Sequence, residues 1–209
     1  MYQAKAGGRN RVVFFEPAMQ QFLNHRSQLE GELRRALPGG QLRLYLQPQF
    51  DGQRRLTGAE MLVRWQHPHH GLVTPASFIP LAEETGLILP IGDWVLASAC
   101  RLLDRWRDDE ATCRLHLAVN VSVLQFSQPD FVDKLKALLD SSCFSTGLLQ
   151  LELTESLVIR HVDDVIAKMH AIRALGISLS MDDFGTGHSS LSNLRRLPRM
   201  VHDGRDIIV

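Results

Sequence analysis

Apolar positions along this chain change their period several times, and each change predicts an element. From about Ser27, the residues Leu29, Leu33, Ala36 and Leu37 recur at the spacing of one helical face, and Pro38-Gly39-Gly40 ends the helix. Leu42 to Phe50 (LRLYLQPQF) alternates with a period of two, as a strand with one wetter face does. LTGAEMLVRW follows the Asp51-Gly52 turn, so the two strands are expected to pair as a hairpin. Helices are predicted over 75–84 and 92–107, the second burying Val95, Leu96, Ala99, Leu102, Leu103 and Trp106. Strands at 115–121, 149–153 and 177–181 then alternate with helices at 130–139 and 162–175, the latter with Val165, Ile166, Met169 and Ile172 inward.

The later strands read as near-continuous apolar runs, which predicts a parallel sheet covered on its outer face by the amphipathic helices. Short apolar runs here end in oxygen-bearing side chains: Glu60 in GAEMLVRW, Asn120 in LHLAVNVS, Glu152 in LLQLELTES, and Asp182 with Asp183 in ISLSMDDFGTG. Asn120 and Glu152 are 32 residues apart and Glu152 and Asp182 are 30 apart, each about one βα unit. Functional residues at the C-terminal ends of successive strands are the arrangement of a (β/α)8 barrel. A doubly wound open sheet is the alternative, but the glycine-rich phosphate loop it usually carries after its first strand is missing.

Composition narrows the chemistry. Lys+Arg and Asp+Glu both number 23, so the basic footprint of a nucleic-acid binder is missing. Cys100, Cys113 and Cys143 lack metal-ligand spacing and read as reduced thiols of a cytoplasmic protein. No apolar stretch is long enough to span a bilayer, and no signal peptide opens the chain. The opening MYQAKAGGRNRVVFF reads as a helix end, a Gly-Gly break and a short strand, the tail of a preceding domain.

Carboxylates with one carboxamide are hard oxygen donors of the kind Mg2+ or Mn2+ prefers. A lone strand-end acid is usually a cap or a surface charge, whereas four acids and one amide at one barrel mouth point to a metal site. Asp163 and Asp164 form a second acidic pair, better explained by the field at a helix N-terminus. His67, His69 and His70, beside Pro68 and Gly71, read as a solvated loop.

The motifs GAEMLVRWQHPHHGLVTPASFIPLAEETGLI, VNVSVLQF, LELTES and DDFGTGHSSLSNLRRLP resemble, in order and spacing, the EAL domain, the bacterial family of cyclic-di-GMP phosphodiesterases. YQAKAGGRNRVVFF resembles the end of a GGDEF domain, the cyclase module often fused ahead of it. The resemblance implies a remnant of a preceding GGDEF-like domain and linker over 1–26, a truncated EAL domain over 27–198 and a divergent tail over 199–209. The fold it implies is an incomplete EAL-type (β/α)8 TIM-like barrel, with an antiparallel first strand and the last two or three βα units missing. The signature triplet departs, reading Glu60-Met61-Leu62, but its ligand glutamate is intact.

For chemistry, the resemblance implies two-metal hydrolysis of cyclic-di-GMP to linear pGpG. Glu60, Asn120, Glu152 and Asp182 would hold one Mg2+ or Mn2+, Asp182 would bridge, and Asp183 would help to hold the second. Two such cations about 4 Å apart lower the pKa of a bound water and offset charge on the transition state. Glu60 and Glu155 are the expected catalytic carboxylates, Glu155 tying down the DDFGTG loop, whose Gly185 and Gly187 permit a tight path. Gln47 and Arg64 would meet the ligand, Arg64 as a donor to phosphate. His188 replaces the aromatic the family commonly carries there.

The resemblance stops after Leu197-Pro198. The family continues with a strand ending in Lys-Ile-Asp, whereas Arg199 to Val209 contains no lysine and Asp203 falls about where it belongs. Turnover is therefore expected to be impaired or lost, and unclosed strand edges to invite a second copy or a GGDEF-domain partner. The alternative is a non-catalytic module that binds cyclic-di-GMP or a protein.

Overall fold

The computed structural model describes residues 17–154, 157, 162–182, 200–202 and 205–207. The GGDEF-like opening, Glu155, Asp183, Gly185, Gly187, His188 and Asp203 lie outside them.

Helix α1 (Pro17–Ala36) begins ten residues before the start that its apolar spacing marks at Ser27. Proline suits a first helical turn, and Gln20 donates to Asn24 one turn later at 2.7 Å, so polar contacts extend the helix without an apolar trace. Its last turns bury Leu33 and Ala36. Strands β1 (Leu42–Phe50) and β2 (Leu56–His67) form the expected antiparallel hairpin, in register from Leu42↔Trp65 to Phe50↔Leu56 with one irregularity at Gln49/Phe50. β3 (Gly71–Val73) folds back on the end of β2, a strand too short to leave a periodic signal.

β4 (His116–Val121), β5 (Leu149–Thr154), β6 (Ser178–Asp182) and β7 (Met200–His202) extend the sheet in parallel from β2. β8 (Arg205–Ile207) returns antiparallel along β7, giving the order β1-β2-β4-β5-β6-β7-β8. No pairing joins β1 to β8 among the described residues.

The strands expected to be almost uniformly apolar in fact alternate. Ala59, Met61, Leu117, Val119, Val121, Leu149, Leu151, Leu153, Leu179 and Met181 are buried, while the residues between them are mostly polar and partly exposed. One face of the sheet therefore packs on helices and the other is a polar lumen. That asymmetry is the barrel-type reading, because a doubly wound sheet buries both faces.

Among the described residues five α-helices lie between these strands: α2 (Pro75–Thr85), α3 (Ile88–Trp106), the short α4 (Val123–Phe126), α5 (Phe131–Asp140) and α6 (Val162–Ala174). α2 opens on Pro75 and closes at Gly86, whose φ of 76° is left-handed. α3 starts four residues before the expected Gly92, since Pro90 falls in the first turn where no amide hydrogen is needed. Its stripe of Ile88, Ile91, Val95, Leu96, Ala99 and Leu103 packs toward β4 and β5. Leu102 and Trp106, expected in the core, are only partly buried at its margin. α6 turns Val165, Met169 and Ile172 inward as its spacing predicts. Among the described residues no single helix is long and apolar enough to cross a membrane.

Candidate functional site

Sheet register decides which side chains share the lumen. Gln47 of β1 lies opposite Glu60 of β2, and Glu60 opposite Ala118 of β4. Two residues further along β4, Asn120 lies level with Glu152 of β5 and Ser180 of β6. Side chains alternate along a strand, so Gln47, Glu60, Asn120, Glu152 and Ser180 all project from the face opposite the helices. Arg64, four residues after Glu60, shares that face and pairs with Arg43 of β1. Asp182 ends β6 opposite Thr154; its side chain, like Asp183 and Glu155, is outside the described set.

The strand-end donors meet across β2 and β4. Asn120 Nδ2 donates to Glu60 Oε1 at 2.7 Å, which turns the carboxamide nitrogen to the carboxylate and leaves Oδ1 available for another partner. Glu60 and Glu152 are half-buried and Asn120 is exposed, so the cluster faces a space that ions and solvent reach. Beside them Ser180 is 6% exposed and its hydroxyl has no partner among the described residues, a buried dipole one strand from Glu152. Among the described residues no three His, Cys, Asp or Glu side chains gather into a metal-holding group. The described donors are all oxygen, a chemistry that fits Mg2+ or Mn2+ and not a softer metal.

Cationic groups flank this row. Arg64 Nη1 donates to the Val63 carbonyl at 2.9 Å, and Arg43 Nη1 donates to the carbonyls of Gly40 (2.5 Å) and Leu42 (2.9 Å). Among the described residues neither guanidinium has a carboxylate partner, so their charge is unspent at the lumen face. Gln47 is exposed.

Lower in the lumen, His116 lies against Gly58, where a Cβ would sit 2.4 Å from the His116 carbonyl oxygen. The missing side chain lets the imidazole reach Gln49 Oε1 at 2.7 Å, spanning β1, β2 and β4. Burial pushes the His116 pKa below its ordinary value, against a smaller upward pull from the Thr57 backbone.

A cavity of about 380 Å3 opens beside the donor row. Leu62 of β2, Ile79 and Pro80 of α2, and Ile91 and Val95 of α3 give it apolar walls, with Asn120, Gln125 and Thr154 as polar lining. Gln125 is placed by α4, whose first turn is capped where Ser122 Oγ accepts from the Gln125 amide at 3.1 Å. Sequence reasoning passed over Gln125; its signal was a glutamine between Leu124 and Phe126 directly after a strand that ends in a site residue.

One expectation is corrected. His67 is not in a solvated loop but 2% exposed, at the end of β2. Its Nδ1 accepts from the amides of His69 (3.1 Å) and His70 (3.2 Å), so Nε2 carries the proton donated to Glu32 of α1 at 3.0 Å. The Gln28 amide and then His67 hold the Glu32 carboxyl below its ordinary range. His69 and His70 are exposed as expected, and Asp163 and Asp164 occupy the exposed first turn of α6.

Comparison with known proteins bears on the family and the fold. The EAL domain model matches residues 30–201. The chain is 44% identical over 199 residues to the bifunctional diguanylate cyclase/cyclic di-GMP phosphodiesterase MucR of Pseudomonas aeruginosa, covering 95% of this chain and 29% of that protein. It is 39% identical over 198 residues to the cyclic di-GMP phosphodiesterase PdeR of Escherichia coli, covering 95% of this chain and 30% of the relative. The chain thus spans less than a third of the length of these relatives. A solved structure of the PaMucR phosphodiesterase in complex with c-di-GMP superposes with a TM-score of 0.78 at 44% identity, over 82% of this chain and 69% of that one.

Proposed function

The chain belongs to the EAL domain family, and from that premise we propose that its polar lumen binds cyclic-di-GMP through divalent cations, in a site built for hydrolysis to linear pGpG. The observation that carries this reading is the contact of Glu60 with Asn120 across β2 and β4, level with Glu152 on the next strand. Three oxygen-bearing side chains from three neighbouring strands on one concave face have no packing purpose there. They make sense as donors.

In this reading Glu60, Asn120, Glu152 and Asp182 hold one cation, and Asp182 with Asp183 the second. Mg2+ or Mn2+ bound there supplies a water of lowered pKa and offsets charge on the phosphate. Glu155 orders the loop that carries Asp183. Arg64 and Gln47 take the phosphate and its ribose side, with a guanidinium that has no carboxylate partner among the described residues attracting the dianionic ligand. The adjoining cavity accepts one base, its flat apolar walls supplied by Pro80 and Ile79.

Where the family resemblance expects a Lys-Ile-Asp strand, Arg199 to Val209 carries no lysine, and on that ground we assign these 209 residues binding with weak or no turnover. That same feature favours the second reading, a module that binds cyclic-di-GMP and relays the signal without cleaving it. The outer edge of β1, unpaired among the described residues, supports association with a second copy or a cyclase domain. Three free thiols support a reducing, cytoplasmic setting.

Incubation of the purified chain with cyclic-di-GMP and Mn2+, followed by separation of nucleotides, tests the proposal. Binding lost in Glu60→Ala, with little pGpG from either protein, is the expected result. Rapid conversion to pGpG overturns the impairment, and absence of binding overturns the site.

A further inference from the structure

We propose that Tyr45 of β1 is a stacking platform for the second base of the cyclic dinucleotide, the base that the cavity beside β2 leaves over. This role rests on the cyclic-di-GMP reading above and adds a binding residue to it.

Side chains along β1 part to two faces by alternation. Leu44 and Leu46 line a groove with Met61 of β2 and Leu102 of α3, on the helix side of the sheet. Arg43, Tyr45 and Gln47 therefore project into the lumen. Register with β2 sets three rows from the rim inward: Arg43 opposite Arg64, Tyr45 opposite Leu62, and Gln47 opposite Glu60. Neighbouring rows are about 7 Å apart along the strand. Guanidinium groups fill the first row and oxygen donors the third, and both suit phosphate, directly or through a cation. The middle row is apolar.

Tyr45 is 48% exposed there, and among the described residues its ring meets no other ring. An open aromatic face between two phosphate-binding rows is placed for the sugar or base of a nucleotide whose phosphates reach both. A cyclic dinucleotide carries two bases. The cavity walled by Leu62, Ile79 and Pro80 takes one of them, on the α2 side of β2. Tyr45 stands on the opposite side, across Leu62 on the neighbouring strand. A phenol ring offers the flat apolar surface on which a purine stacks, and stacking ignores the hydrogen-bonding edge of the base. Tyr45 thus supplies affinity rather than base selection.

The competing role is that of a tyrosine present only because it suits a pleated sheet. Tyr45→Ile and Tyr45→Thr keep a strand-forming residue and remove the ring, whereas Tyr45→Phe keeps the ring and removes the hydroxyl. Each variant is melted without ligand, then titrated calorimetrically with Mn2+ and with cyclic-di-GMP. Loss of the ring is expected to weaken cyclic-di-GMP binding by about ten- to a hundredfold. Tm should move by less than about 2 °C, with Mn2+ affinity unchanged. Tyr45→Phe is expected to bind within about threefold of the wild-type chain. An equal loss in Tyr45→Phe makes the hydroxyl the contact and overturns stacking. Wild-type affinity in the ringless variants overturns the inference while leaving the proposed function standing. Failure of both ringless variants to fold, or weakened Mn2+ binding in them, makes Tyr45 a strand residue and overturns it as well. A wild-type chain that binds no cyclic-di-GMP overturns both.

Discussion

Asn120 has two roles in the proposed site: its nitrogen donates to the Glu60 carboxylate, and the proposal assigns its oxygen to a cation. Asn120→Ala should therefore weaken Mn2+ binding by about ten- to a hundredfold in a calorimetric titration. Because Asn120 is exposed, its melting temperature should change little. His67 is the opposite kind of residue, invisible to ligands and central to packing. It stacks edge-on to Trp65 at a ring-centroid distance of 4.7 Å and joins β2 to Glu32 of α1. His67→Ala leaves a cavity and removes one of the two donors on Glu32, the other being Gln28, and a loss of about 3 kcal/mol is expected in urea unfolding. The sequence pointed to Asn120 because an amide at the end of an apolar run has few structural reasons to be there. It misled on His67 because Pro68 and Gly71 mark a turn, while the partner that buries the ring lies 35 residues earlier on a helix. Met61 shows how a departure from the family triplet is absorbed: it faces the helix side, 4% exposed, and fills space beside Leu44 and Leu46.

At the scale of elements, the rhythm of strand and helix was legible because each connection buries one amphipathic stripe on one sheet face. The boundaries were less so. α1 starts early because side-chain amides rather than apolar residues support its first turns, and the three-residue strands β3, β7 and β8 are too short to show a period. Crossing of strands at Gly58 has a measurable consequence. Gly58→Ala would drive a methyl group into the His116 backbone, where yielding means breaking the β2–β4 ladder, so a loss of about 3 kcal/mol or more is expected in denaturant unfolding. The same junction sets a pH response. His116 has a folded pKa lowered from 6.5 by burial, so the unfolded chain binds the proton more readily. Its contribution is therefore fully present above pH 6.5, falls as pH drops through that value, and levels off below the folded pKa. His116→Gln should flatten this part of a Tm-against-pH profile, and an unchanged slope below pH 6.5 would assign the response to other groups.

The whole molecule is an EAL-type sheet with one greasy and one polar face, and its proposed function follows from the polar one. The parallel order β2-β4-β5-β6 was readable from the roughly 30-residue spacing of Asn120, Glu152 and Asp182. That the strands alternate, rather than being apolar throughout, was not read, although it is what separates a barrel lumen from a doubly wound sheet. Geometry alone gave the strand ends, and the resemblance supplied their roles. The central claim is that these strand ends hold divalent cations on the lumen face. Crystals grown with Mn2+ and measured at the manganese absorption edge test it most directly. The account predicts an anomalous peak about 2.0–2.6 Å from side-chain oxygens of Glu60, Asn120 and Glu152. Saturating Mn2+ with no peak on that face, or a peak only at unrelated surface carboxylates, would contradict it.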